Sequence, residues 1–243
     1  MLRLMIGLLL LGGLLWGQGT RAEDGGLTLV SATMPHGLLE EIDGKVTGAY
    51  AAFFHEASRR SGIPIKIKLF PWARALKNTE KSKELLIFPF TRNADREERF
   101  SWIAPLLENP VCFATLGAKI DSLDDARNLK RAIVWRGSSP QTFLEAQGFK
   151  NLIETDNLAH LTRILKRSPN SGWAFNCNEA QTFIDGEKKT LSLVVGAPVW
   201  TEVSWLAGGR SFASTPAVVA FTQAMDALRE EKYLEKRLAE VGQ

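Results

Sequence analysis

The sequence predicts an α/β protein of two lobes. Three observations carry this expectation. From residue 27 to residue 90, apolar β-rich runs alternate with amphipathic stretches in the order strand, helix, strand, helix, strand, the pattern of a largely parallel sheet. A second unit with similar alternation follows. No internal repeat, low-complexity tract or long linker separates the two. The 243 residues, 45% hydrophobic and 23% charged, suffice for one large domain or two smaller ones with real cores, and mark a globular chain.

The elements follow in order. "LTLVSATMP" from Leu27 reads as a strand and a loop. In "EEIDGKVTG", Asp43-Gly44 marks a tight turn between short extended pieces. "AYAAFFHEASRRSG" is helical, with Tyr50, Phe53, Phe54 and Ala57 on one face and Gly62 as its stop. "IPIKIKLF" alternates as a strand with one polar face. "PWARALKNTEKSK" opens a helix with Pro71 in its first turn, and "ELLIFPF" is the next strand.

In the second unit, "VCFATLG" and "RAIVWRGSS" are strands around a short helix, "DSLDDARNL". "PQTFLEAQGF" is a helix with Ser139 as N-cap and Pro140 at N1. "NLAHLTRILKRSP" is a helix, "GWAFNCN" a strand and "EAQTFID" a helix. The tail from Thr215 reads as two amphipathic helices.

Residues 1–22 combine an early Arg3, an apolar run and small residues at Thr20 and Ala22, the pattern of a secretory signal peptide cleaved after Ala22. The apolar run is shorter than the ~20 residues a membrane span needs, and no cysteine adjoins the cleavage site to accept lipid. A soluble exported, periplasmic protein is expected. Loss of Arg3 and Arg21 leaves 28 basic against 27 acidic residues, a net charge of +1 instead of +3. Those charges are dispersed, which argues against a nucleic-acid partner. The two cysteines, Cys112 and Cys177, either pair in an oxidising compartment or stay as separate buried thiols.

The chemistry-bearing residues are few. Of the three histidines, His55 and His160 fall inside helices, and only His36 follows a strand. No HExxH, P-loop, GxSxG or GxGxxG occurs, and the cysteines lack metal-ligand spacing, so no cofactor or metal is expected. What stands out is a set of loops at the carboxyl ends of strands, where open α/β sheets bind ligands. These are Met34-Pro35-His36, Phe70-Pro71-Trp72, Thr91 to Arg96, and Arg136-Gly137-Ser138-Ser139 at a helix N-terminus suited to an anion.

The order "DGKVTGAYAAFFHEASRRSGIPIKI…PWARAL…IFPFTRNADREERFSWIAPL" resembles the family 3 periplasmic solute-binding proteins, the substrate-capturing subunits of ABC importers for polar amino acids and similar solutes. The family's "T-x-T-x-E-R-x-x-x-F-x-F/W" segment matches Thr91, Asn93, Asp95, Arg96, Phe100 and Trp102. The likeness is clear in the first lobe and loose in the second.

The resemblance implies a hinged clamshell, each lobe a mostly parallel sheet flanked by helices. Lobe 1 is then 23–106 plus 205–243, lobe 2 is 112–199, and hinge strands lie at 107–111 and 200–204. It also implies a monomer that serves an inner-membrane ABC permease and binds a small molecule. Arg96 takes the position that grips the ligand's carboxylate, through a planar guanidinium fork. Thr91 adds donors, Ser138 and Ser139 complete the clamp from lobe 2, and Trp72 or Phe70 forms an aromatic wall.

Beside these, Arg92 and Arg99 read as surface charges, with Asp95 or Glu98 as partners for Arg99. Phe100 and Trp102 read as core packing, as do Trp135 and Trp173 unless they line the cleft.

Amino-acid binders of the family hold the ligand's ammonium with an aspartate whose position here is Asn176 or Cys177. A neutral residue leaves a buried ammonium unbalanced, which argues for a carboxylate lacking a free amine, or for loss of binding. Two rivals remain. One is a dehydratase-like enzyme using Glu179 or Glu40, which a cleft without a carboxylate near Arg96 would exclude. The other is a sensory module presenting a closed lobe to a membrane receptor.

Overall fold

The computed structural model describes residues 25–34, 36–177 and 191–241. The expected signal peptide, Pro35, Glu179 and the expected helix "EAQTFID" lie outside the described residues. Among those described, no helix is long and apolar enough to cross a membrane.

The first lobe begins with β1 (Leu27–Ser31), the hairpin β2 (Glu40–Ile42) and β3 (Lys45–Thr47), and α1 (Ala49–Ser61). It continues with β4 (Ile65–Leu69), α2 (Trp72–Glu80), β5 (Leu85–Thr91) and the single turn α3 (Ala94–Glu97). The long strand β6 (Phe100–Thr115) crosses to the second lobe, which holds α4 (Leu123–Arg127), β7 (Arg131–Trp135), α5 (Ser139–Ala146), β8 (Leu152–Thr155), α6 (Leu158–Arg167), β9 (Ser171–Asn176) and β10 (Val194–Val195). A second long strand, β11 (Trp200–Gly209), returns to α7 (Pro216–Glu230) and α8 (Tyr233–Val241).

One sheet runs through both lobes in the order β4-β1-β5-β11-β6-β9-β7-β8, with β10 beside β6. Each outer set is parallel: β4 and β5 flank β1, and β8 and β9 flank β7. The two crossing strands are antiparallel to each other and to the sets they join. The two lobes thus repeat one topology, first strand in the middle. β6 also contains Pro105 and Pro110, which cannot donate to a ladder. The register shifts in β11 fall next to the Trp205–Pro105 pair, so an irregular pairing keeps the strand continuous there.

The expected apolar face of α1 is buried: Tyr50, Phe53, Phe54 and Ala57 are each at most 1% exposed. Tyr50 and Phe54 both set their rings edge-on to Phe88 of β5, with centroids 5.1 Å apart. The helix ends at Gly62, whose φ of 71° is the left-handed conformation glycine adopts without strain. Truncating Phe54 to alanine would cost about 3–5 kcal/mol by leaving a cavity. Phe113, Ala132 and Val134 anchor a separate core under α5, and Ile133, Leu161 and Leu165 one under α6.

Several local expectations shift. Ser138, not Ser139, is the N-cap of α5 and accepts from the Gln141 amide, so Pro140 falls at the second helical position. β8 and β10 were not expected from the sequence. Cys112 and Cys177 are paired and not separate buried thiols: they form a disulfide with Cα atoms 5.1 Å apart. It ties β6 to the end of β9.

Candidate functional site

The carboxyl ends of β1, β5 and β7 and the N-termini of α2, α5 and α6 converge on a cavity of about 500 Å³ between the lobes. The first lobe contributes Met34, His36, Leu38, Trp72, Pro89, Thr91 and Arg96. The second contributes Trp135, Ser138, Ser139, Asn157, Trp173, Phe175 and Asn176. The crossing strands form its floor with Asn109, Val111, Glu202 and Ser204.

Arg96 sits on the turn after β5. Asn93 caps that turn by accepting from the Arg96 amide at 3.2 Å, which holds the residue at a fixed angle to the cleft. Its side chain is 5% exposed. The guanidinium lies 4.3 Å from the Phe90 ring centroid, an attractive cation–π geometry. It donates through Nη1 to the Thr91 carbonyl and through Nη2 to the Gly137 carbonyl, each at 2.9 Å. Burial pulls its pKa down to about 10, against the opposing pull of the Glu202 carboxylate.

Gly137 belongs to the turn after β7, so the Arg96 bond spans the cleft. The indole of Trp72 donates to the same oxygen at 3.1 Å. A third link crosses nearby. Ser139 Oγ lies 2.9 Å from Thr91 Oγ1, and both hydroxyls reach Glu202 Oε2, at 2.5 Å and 3.0 Å. Trp200 Nε1 donates to Glu202 Oε1 at 3.0 Å. Glu202 is therefore fixed by three neutral donors. On the floor, Asn176 Nδ2 donates to Asn109 Oδ1 at 2.6 Å, and Asn109 in turn bonds Ser204.

Seven of the nine residues singled out from sequence line this cavity: Arg96, Thr91, Ser138, Ser139, Trp72, Asn176 and His36. Two do not. Phe70 packs with Val30, Ala75 and Phe90, because its backbone amide extends the ladder to Ser31 and turns its ring into the lobe. Cys177 is committed to the disulfide, so Asn176 is the residue at the cleft. Trp135 and Trp173 both line the cavity, Trp173 stacked on Phe175 with centroids 4.0 Å apart.

Arg92 pairs with Glu97 and lies over Trp102 and Trp205. Arg99 pairs with Glu80 of α2, not with Asp95 or Glu98. Glu40, a candidate acid of the enzyme reading, accepts from the Gly37 amide and lies outside the cavity lining.

Sequence reasoning missed Glu202, Asn109 and Ser204. A signal was present: in "WTEVSW" the period of two puts Trp200, Glu202 and Ser204 on one face of a strand. Glu202 also means that the condition set for excluding the enzyme reading is not met.

The same architecture is seen in solved structures. A histidine kinase sensor domain described as similar to periplasmic binding proteins superposes with a TM-score of 0.74 at 14% identity, over 88% of this chain and 95% of its own. An amino acid ABC transporter substrate-binding protein from Streptococcus pneumoniae bound to L-arginine gives 0.74 at 15% identity, over 90% and 95%. An ancestral arginine-binding protein bound to glutamine gives 0.73 at 15%, over 90% and 99%. No family model and no curated protein matches the sequence. At these identities the likeness is one of fold: the chain has the two-lobed periplasmic-binding-protein fold.

Proposed function

We propose that this is a periplasmic solute-binding protein. It captures a small polar, carboxylate-bearing solute between its lobes and delivers it, as a monomer, to an inner-membrane ABC importer. The lobes are 23–106 plus 205–243 and 112–199, hinged at 107–111 and 200–204. The observation that supports this reading best is the buried guanidinium of Arg96 at the wall of an interlobe cavity, opposite the hydroxyl-bearing N-terminus of α5. Two of its N–H donors hold carbonyls, and a guanidinium has five, so donors remain for a carboxylate. The neighbours of this fold that hold L-arginine and glutamine support a solute of amino-acid size.

Three tryptophans, Trp72, Trp135 and Trp173, line the cavity, so occupancy should alter their emission. Titration of residues 23–243 with small amino and organic acids is expected to give a saturable change in fluorescence. A flat response across both classes would contradict solute binding.

A sensory role is the second reading, favoured by the likeness to a histidine kinase sensor domain. Loss of the protein should abolish high-affinity uptake of its solute if it serves transport. A sensor would leave uptake intact and abolish a transcriptional response. The enzyme reading has less support, because the neighbours of this fold described above are binding proteins and a sensor domain.

A further inference from the structure

Apart from His36, the formal charges lining the cavity among the described residues are Arg96 and Glu202. The position expected to balance a ligand's ammonium is filled by Asn176, a neutral amide bonded to Asn109. Glu202 lies instead on the crossing strand β11. Its three hydrogen-bond donors, Trp200, Thr91 and Ser139, are all uncharged, so they orient the carboxylate without cancelling its charge. The cationic side chain Arg96, which also lines the cavity, directs its bonds to the carbonyls of Thr91 and Gly137. The cavity lining also holds Trp72, Trp135, Trp173 and Phe175, aromatic side chains of the kind that attract cations.

We infer that Glu202 anchors a cationic group of the ligand, so that the solute is a zwitterion held with its positive end at β11 and its carboxylate at Arg96. This rests on the solute-binding reading and names the class of solute. Thr91 sets the spacing. Its carbonyl accepts from Arg96 and its hydroxyl donates to Glu202, so the two opposite charges flank a single residue. A cavity with one positive and one negative wall this close matches a small zwitterion whose own charges lie a few atoms apart. It disfavours a simple anion, which Glu202 would repel.

Probe pairs equal in shape and different in charge test this without any substitution. L-phenylalanine is set against 2-methyl-3-phenylpropanoate, 4-aminobutanoate against pentanoate, and glycine betaine against 3,3-dimethylbutanoate, with affinities read by thermal shift and calorimetry. In at least one pair the zwitterion is expected to bind about tenfold or more tightly than its uncharged-tail partner. Glu202→Gln should remove that preference while binding of the partner persists or improves.

Equal affinities within every pair would overturn the inference and leave solute binding standing. So would binding of the simple carboxylates alone, strengthened by Glu202→Gln, which would make Glu202 a gate against anions. No binding by any of the six probes would count against both readings.

Discussion

The guanidinium of Arg96 and the carbonyl of Gly137 meet across the cleft at 2.9 Å, and Trp72 shares that carbonyl from the same side at 3.1 Å. One backbone oxygen of the second lobe is thus gripped by two side chains of the first. It ties the Arg96 guanidinium to the relative placement of the lobes.

Trp72→Phe keeps the aromatic wall and removes the indole donor. Loss of one such bond should weaken the closed arrangement by about 0.5–1.5 kcal/mol. Small-angle scattering should show a larger radius of gyration for the ligand-free variant than for wild type, and equal radii once both are saturated. Equal radii without ligand would show that this bond does not hold the lobes together.

Gly137 has a φ of 73°, in the left-handed region, and a Cβ there would meet only ordinary contacts with Trp72 and Leu76. Gly137→Ala therefore acts through backbone strain of roughly 1–2 kcal/mol and not through a clash. The variant should fold, unfold at lower denaturant, and bind more weakly because its carbonyl is displaced from Arg96 and Trp72. Chemical denaturation and a binding isotherm check the two effects separately.

The Cys112–Cys177 bridge joins residues separated by 65 positions. Cross-links over loops of this size typically add about 2–4 kcal/mol by restricting the unfolded chain. The double alanine variant should lose that much in equilibrium denaturation. Because Asn176, at the cleft, adjoins Cys177, it should also bind ligand more weakly. Unchanged stability would mean the strand pairing of β6 and β9 already sets this edge.

The pKa of Arg96, drawn down to about 10 by burial, predicts a pH profile. A base whose folded pKa lies below its unfolded value makes folding less favourable while it is charged. That penalty is present below pH 10 and is relieved as pH rises from 10 towards the unfolded value. A carboxylate ligand favours the charged form, so binding of a solute whose own cation does not titrate, such as glycine betaine, should be level through pH 9 and weaken above 10, by at most about tenfold per pH unit. Calorimetry in buffers of different ionisation enthalpy would detect the accompanying proton uptake.

Much of the first lobe was legible in the sequence because its signals are local. The stripe Tyr50, Phe53, Phe54 and Ala57 encodes a helix face, and Asp43-Gly44 a hairpin turn, and both are as expected. The Asn93-capped turn that aims Arg96 follows directly on a buried strand, so its motif could be placed. The floor was harder to read, because Asn109, Ser204 and Glu202 come from strands that meet only after the chain has crossed between the lobes twice. A glutamate in "WTEVSW" looks like the polar side of an ordinary strand until β6 and β11 are paired. β8 was missed because "LIET" is short and carries an acid. Phe70 was misplaced because the ladder to Ser31 extends one residue beyond the strand. The expectation of a ligand without an amine rested on position 176 alone; Glu202, which lines the same cavity, comes from another strand and was out of reach of that reasoning.

Capture of a solute between the lobes is proposed to depend on Arg96. A thermal-shift screen of residues 23–243 against amino acids, organic acids, polyamines and short peptides, with Arg96→Ala run beside wild type, tests it most directly. At least one solute is expected to stabilise wild type, by roughly 2.7 kcal/mol at a hundredfold excess over Kd, with none of that stabilisation in a still-folded Arg96→Ala. A variant that binds the same solute with undiminished affinity would contradict it.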